Sequence, residues 1–275
     1  MGYEKRFDNR KFDEFRPLSI KAGVIPNADG SALVQVGNTV AYAAVYGPRD
    51  LHPKFMQDPQ KGTLRVTYNM MPFSGHGDRV RPGPSRRSKE INLVIENALL
   101  PVLDLNRYPN AVVDVFIELP QTDAGTRCAA ITAASVALAD AGIRMKDMVA
   151  AVSVGKVDDK LVVDLTYNEE AYPEGDVADI PVAFIPSTGE LSLLQMDGKI
   201  TPDELERVLE MGRVACVKIA EAQRSALLEK YEDASLKAVD IALENGREAA
   251  ARSGEDEVPP VDDASRGDSV GDDNE

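Results

Sequence analysis

The sequence predicts an α+β fold, and three observations predict it. Nine short runs have the alternating or continuous apolar character of strands. Three longer stretches have helical spacing or small-residue composition instead. The strands cluster rather than alternating strictly with helices, which argues against a regular β-α-β wind. With 275 residues, 43% of them hydrophobic, the chain can bury a substantial core. Aromatic residues make up only 5% and Trp is absent, so that core is built from Val, Ala, Leu and Ile.

In chain order, strands are expected at 18–25, 31–37, 39–46 and 63–70, then at 111–119, 148–156, 161–166, 179–185 and 191–196. Asn27-Ala-Asp-Gly30 is the turn between the first two, and Asp158-Asp-Lys160 joins 148–156 to 161–166 as a hairpin. A first helix is expected over about 89–105, with Ile91, Ile95, Ala98 and Val102 on one face. A second, about 127–141, is built from Ala, Ser and Thr and suits close packing on a sheet. A third opens at Thr201-Pro-Asp-Glu204, where Thr201 caps, Pro202 fits the first turn and Glu204 completes a capping box. Its apolar stripe is Leu205, Val208, Leu209, Gly212, Cys216 and Ile219. Residues 1–232 form the main domain, and 233–252 extend a helix. Residues 253–275 are an acidic tail whose composition predicts disorder, either as a solubilising segment or as a partner-binding one.

Composition narrows the function. The formal net charge of −15 argues against a general nucleic-acid coat. Much of it lies at the end: residues 231–275 carry 14 acidic and 4 basic side chains, so the body is only mildly acidic and can hold a local basic site. Cys128 and Cys216 sit on apolar helical stretches and read as buried free thiols. Neither has His or Cys partners at zinc-ligand spacing. His52 and His76, the two histidines, show no Ser or Cys arrangement for a nucleophilic triad and receive no catalytic role. The polar start of the chain and the lack of any apolar run of about 18 residues lead to an expected cytoplasmic location.

The chemistry-bearing segment is Gln121-Thr-Asp-Ala-Gly-Thr-Arg127, where a strand runs through a turn into a helix. Backbone N–H groups without intrahelical partners and the positive end of the helix dipole meet there, which favours an anion. Gly125 permits close backbone approach, Thr126 offers a hydroxyl and Arg127 a forked cation. A plain N-cap beside a surface arginine is the simpler alternative. Arg86 and Arg87 open another helix, against the preference of its dipole, and follow a loop that also holds Arg79 and Arg81.

Taken in order, these segments join Arg10-Lys-Phe-Asp-Glu-Phe-Arg-Pro17, Asn27-Ala-Asp-Gly-Ser31, Val45-Tyr-Gly-Pro-Arg49, Pro84-Ser-Arg-Arg87, Asp164-Leu-Thr-Tyr-Asn-Glu-Glu170 and Ala178-Asp-Ile180. The set resembles the RNase PH family of phosphorolytic exoribonucleases over roughly residues 4–230, and within it the archaeal exosome branch. The resemblance implies an RNase PH fold of two related β-α halves in one domain. It implies that Gly125, Thr126 and Arg127 form the pocket for inorganic phosphate, and that Arg86 and Arg87 hold the RNA backbone or the phosphate. Arg65 is similar to a residue lining the RNA path, and Tyr68 to one that stacks on a base, with ordinary strand packing as the alternative for Tyr68. Asp179 matches the family's catalytic Asp, which binds Mg²⁺ or gives a proton to the leaving 3′ oxygen. Glu170 stands where the family pattern has Asp, and keeps the charge on a side chain one methylene longer.

The expected activity is 3′→5′ removal of nucleoside diphosphates from RNA, with inorganic phosphate as co-substrate, Mg²⁺ as cofactor and RNA tailing as the reverse reaction. The resemblance implies a hexameric ring with a non-catalytic sister subunit and RNA-binding cap subunits. Two other readings stay open at this point: a catalytically silent ring subunit, and a free-standing RNase PH that trims tRNA 3′ ends.

Overall fold

In the computed structural model, residues 3–76, 79–81 and 83–253 are described. Residues from 3 to Tyr231 belong to one compact unit, and the described residues from Glu232 to Ser253 belong to a second. Apart from Ser253, the expected tail lies outside the described residues.

The first sheet comprises β1 (Leu18–Ala22), β2 (Gly30–Val36), β3 (Thr39–Asp50), β4 (Thr63–Met70) and β5 (Ala111–Gln121), ordered β1-β2-β3-β5-β4. All its pairs are antiparallel except β4 with β5, which run parallel with Thr63 opposite Val112. That parallel pair needs a crossover, and α1 (Arg86–Leu99) lies within it. Ser85 caps α1 by accepting the Ser88 N–H at 3.0 Å, while Ser88 Oγ accepts the Ser85 N–H at 2.8 Å. The helix ends at Leu99, short of the expected 105. Pro101 has no N–H to continue the ladder, and the chain tightens into 3-10 turns at Leu100–Val102 and Leu105–Arg107.

The second sheet comprises β6 (Ala150–Val157), β7 (Lys160–Val163), β8 (Val177–Ile185), β9 (Glu190–Leu194) and β10 (Asp197–Gly198). Gly155 lies opposite Asp179, and a Cβ there would meet Ala178 O at 1.9 Å, so only glycine lets β6 and β8 close at this point. Between β7 and β8 a one-turn helix, α3 (Tyr167–Glu170), carries one of the expected carboxylates.

Helix α2 (Thr126–Asp140) is buried almost all round. Its small side chains let it share one core with both sheets, including Ala43, Val115, Val149 and Ala183. Helix α4 (Pro202–Ser253) begins as the sequence implies: the Thr201 N–H donates to Glu204 Oε2 at 3.0 Å. Val208, Cys216 and Ile219 of its expected stripe pack with Val154, Ile180 and Val182.

The Arg- and acid-rich start of the chain adopts no regular element before β1 and is mostly exposed, yet Tyr3, Arg6 and Arg16 are buried. Arg6 donates from Nε and Nη2 to the two carboxylate oxygens of Glu169, at 2.8 and 2.7 Å, and Tyr3 Oη donates to Glu169 at 2.5 Å. Arg16 donates from Nε and Nη2 to Asp164, at 2.8 and 2.7 Å. These ion pairs fix the segment between β7 and β8 from behind.

Candidate active site

The N-terminus of α2 is the centre of the site. Its preceding residues Ala124 and Gly125 both take left-handed conformations, with φ of 57° and 61°. No side chain caps the helix. Gly125 is thus a backbone cap, and the first-turn N–H groups face an open cleft rather than a hydroxyl or carboxylate of the usual capping kind. The cleft has a volume of about 450 Å³ and is lined by Gly125, Thr126, Arg127, Arg87, Glu170 and Asp179, among others. Six different parts of the sequence converge there: the α1 start, the β5–α2 turn, α3, β8, β10 and the loop after β4.

Two pins hold the β5–α2 turn. Arg16 Nη1 donates to the Asp123 carbonyl. Thr39, fully buried in β3, donates its hydroxyl to Ala124 O at 2.8 Å and accepts the Asp123 N–H at 2.9 Å. The Asp123 carboxylate then accepts the Tyr167 N–H at 3.1 Å, tying the turn to α3.

Asp179 lies on β8 and is hydrogen-bonded by Ser153 Oγ from the neighbouring strand. Burial raises its pKa; the Ser153 hydroxyl and Arg127 oppose the rise, and Asp197 adds to it. Glu170 is pushed up to about 7, first by burial in the cleft wall and then by repulsion from Asp179, against the pull of Arg87, Arg16 and the Gly125 backbone. Water reaching its exposed edge softens this rise. Burial and then the charge of Asp179 hold Glu170 above its ordinary value, and a cation shared with Asp179 would offset that. Mg²⁺ is commonly held by one or two carboxylates, with water and substrate phosphates completing the shell. The donor set fits that mode; no cluster of three or more acidic, His or Cys side chains that could cage a metal occurs among the described residues.

The expected residues do not all gather. Arg127 lines the cleft and is steadied by Gln195 Oε1 at 3.2 Å and Glu90 at 3.5 Å. Arg87 lines it too, whereas Arg86, beside it at the start of α1, is exposed and is not among the lining residues. Arg65 is not a lining residue either: it is exposed on β4 and donates from Nε and Nη2 to the two carboxylate oxygens of Asp114. The stacking role considered for Tyr68 needs correction. On β4 its side chain turns inward with Leu64 and Val66, and the residue is 2% exposed, so the ring has no free face for a base. Strand packing, the other expectation, is what it does.

Comparison with known proteins settles the family. The model of the 3′ exoribonuclease family, domain 1, matches residues 14–144, and that of domain 2 matches residues 147–215.

The chain belongs to the RNase PH family of 3′ exoribonucleases.

Family relatives are similar over most of its length. Exosome complex component Rrp41 of Methanopyrus kandleri is 50% identical over 226 residues, 82% of this chain and 93% of the relative. The Thermococcus kodakarensis protein of the same name is 52% identical over 227 residues, 82% and 90% of the two chains. Among solved structures, rice Rrp46 superposes with a TM-score of 0.72 at 25% identity, covering 81% of this chain and all of that one. The Archaeoglobus fulgidus exosome with RNA bound to its active site gives 0.67 at 23% identity, over 79% and 92%, a likeness of fold. The RNase PH fold expected from the sequence is the fold observed.

Sequence reasoning missed several residues of the site. Asp197, Ser153, Tyr167 and His76 all lie at or beside the cleft. The two strands carrying Ser153 and Asp197 flank β8 in space, which no spacing along the chain reveals. Tyr167 was visible inside the Asp164–Glu170 segment; its exposure between a buried Thr166 and a buried Glu169 was not.

Proposed function

We propose that this chain is the phosphorolytic 3′→5′ exoribonuclease subunit of an archaeal exosome, and that Gly125, Thr126, Arg127, Arg87, Asp179 and Glu170 carry its chemistry. The observation that supports this most is the uncapped α2 N-terminus opening into the same cleft as two arginines and two carboxyls. Identity to the Rrp41 proteins at about half of the aligned positions supports the assignment to the exosome.

Inorganic phosphate sits on the α2 N–H groups and the Thr126 hydroxyl, with Arg127 balancing its charge. One of its oxygens attacks the phosphorus that links the terminal nucleotide to the rest of the RNA. The bond from that phosphorus to the neighbouring 3′ oxygen breaks. A nucleoside diphosphate leaves, and the shortened RNA's 3′ oxygen takes up a proton. Arg87 holds the RNA phosphate in line, so much of the rate comes from positioning and charge compensation. Asp179, fixed by Ser153 and with its pKa raised, can hold the proton that the 3′ oxygen requires. In the alternative role, as ionised carboxylates, Asp179 and Glu170 would hold Mg²⁺, which would supply charge neutralisation, and the 3′ oxygen would then take its proton from solvent. Bond exchange between similar phosphates makes the reaction reversible, so excess nucleoside diphosphate drives tailing. A hexameric ring with a non-catalytic sister subunit, and cap subunits that bind RNA, complete the assembly in this reading. It places the chain in the cytoplasm; no helix among the described residues is long and apolar enough to cross a membrane.

The test is release of nucleoside diphosphates from a 3′-tailed RNA by the chain assembled with its sister, with and without phosphate and Mg²⁺. Phosphate-dependent release that Asp179→Asn abolishes is the expected result. No release from a well-assembled ring would sink the reading in favour of a silent subunit.

A further inference from the structure

We infer that His76 and Tyr167 form the shelf on which the 3′-terminal base of the RNA stacks, an inference that rests on the phosphorolytic reading above. The terminal nucleotide must place its phosphate between the α2 N-terminus and Asp179. Its base then has to lie against a neighbouring wall of the cleft. Tyr68 cannot supply that wall because the core encloses it. An aromatic surface is present elsewhere. The His76 and Tyr167 rings stack with centroids 5.3 Å apart and planes 29° from parallel, and both residues line the same cleft as Arg87, Arg127 and Glu170.

The pair has the features a stacking surface needs. Tyr167 is 46% exposed, and His76 is exposed as well, so the stack is open to an incoming ring. Tyr167 is also well anchored. It is the first residue of α3, its N–H is bound to Asp123, and the Glu169 two positions on is locked by Arg6 and Tyr3. Asp123 belongs to the phosphate turn, so the shelf and the α2 N-terminus share one rigid support. A base added to an aromatic stack gains from its π-face whatever its identity, which suits an enzyme that must remove every nucleotide in turn.

The experiment compares two RNAs that differ only at the 3′ end: one with an intact terminal nucleotide and one whose terminal ribose lacks its base. The assembled complex is used throughout. Wild type is expected to release the intact terminal nucleotide with kcat/KM about tenfold or more above that for the abasic one. Tyr167→Ala should bring the two within about twofold, leaving the KM for phosphate unchanged. Tyr167→Phe should keep the preference, and His76→Ala should reduce it. Equal rates on both RNAs by wild type, or an undiminished preference in Tyr167→Ala, would overturn the shelf while leaving the phosphorolytic reading standing. Absence of phosphate-dependent release even from intact RNA would overturn that reading, and the shelf with it.

Discussion

Arg16 and Asp164 form a buried two-point ion pair that ties the start of the chain to the middle of the site. Nε and Nη2 of Arg16 reach the two oxygens of Asp164 at 2.8 and 2.7 Å, and the Arg16 N–H adds a third bond at 2.8 Å. Arg10 reaches Asp164 from the other side. Burial works against a charged guanidinium, but Asp164 and Asp123 outweigh it and raise the pKa of Arg16. Because the remaining Arg16 nitrogen holds the Asp123 carbonyl, the pair sets the turn that precedes α2.

Arg16→Met should therefore cost about 3–5 kcal/mol of stability, the usual loss when one partner of a buried ion pair is removed. Arg16→Lys should cost less, since the charge stays but the fork is lost. In the folded fraction, both should raise the KM for phosphate more than the KM for RNA. Denaturant melts and steady-state kinetics at varied phosphate check this; an unchanged phosphate KM would mean that the pair supports the fold alone.

Gly125→Ala probes the same turn from the other side. At φ 61° an alanine is strained by about 1–2 kcal/mol, and its Cβ would stand 3.4 Å from Arg16 Nη2. The expected outcome is a modest fall in Tm with a clear loss of phosphate affinity, read by titrating phosphate into the assembled complex. A variant with wild-type phosphate affinity would show that the left-handed turn does not shape the pocket.

Glu169 gives the chain an acid-sensitive joint. Its burial would raise its pKa, but hydrogen bonds from Arg6, Tyr3 and the Thr166 N–H outweigh that, and the folded-state pKa is lowered. A lowered carboxyl pKa stabilises the fold fully above the unfolded value, about 4.3, and the contribution fades as pH falls through the folded value. Melting temperature should drop steeply below about pH 4.3. Glu169→Gln should lower Tm at pH 7 and flatten that acid limb. An acid limb as steep in the variant as in wild type would assign it to other carboxylates.

The sequence made the elements legible because their patterns are local. All nine expected strands and all three helices occur, and the Thr201–Glu204 cap is where composition placed it. What stayed hidden depends on which face of an element turns inward or on contacts distant in sequence. Tyr68 and Arg65 alternate along β4, one into the core and one to solvent, and no property of either side chain alone decides which. Arg6 and Glu169 are 163 residues apart. The turn into α2 was readable because Gly125, Thr126 and Arg127 are consecutive; its support by Arg16, Thr39 and Asp123 was not.

Glu170 is held at a raised pKa by burial and then by the charge of Asp179, a cost to the fold that chemistry at the cleft would explain. A carboxyl whose folded pKa is raised subtracts stability once pH exceeds its unfolded value, about 4.3, and the penalty is full above the folded value of about 7. In metal-free buffer, Glu170→Gln should thus melt higher than wild type at pH 8, and the difference should shrink towards pH 5. Added Mg²⁺ should narrow the gap at pH 8 by stabilising wild type more than the variant, because only wild type keeps both carboxylates. Phosphorolysis by the assembled complex should fall in the same variant by about 10²-fold or more, the scale of losing one charge-handling group at a phosphoryl-transfer centre. Glu170→Asp should retain most activity, since a carboxylate remains within the cleft. A Glu170→Gln variant that melts no higher at pH 8 but loses activity would separate the two effects and leave the carboxylate needed for chemistry without any cost to the fold.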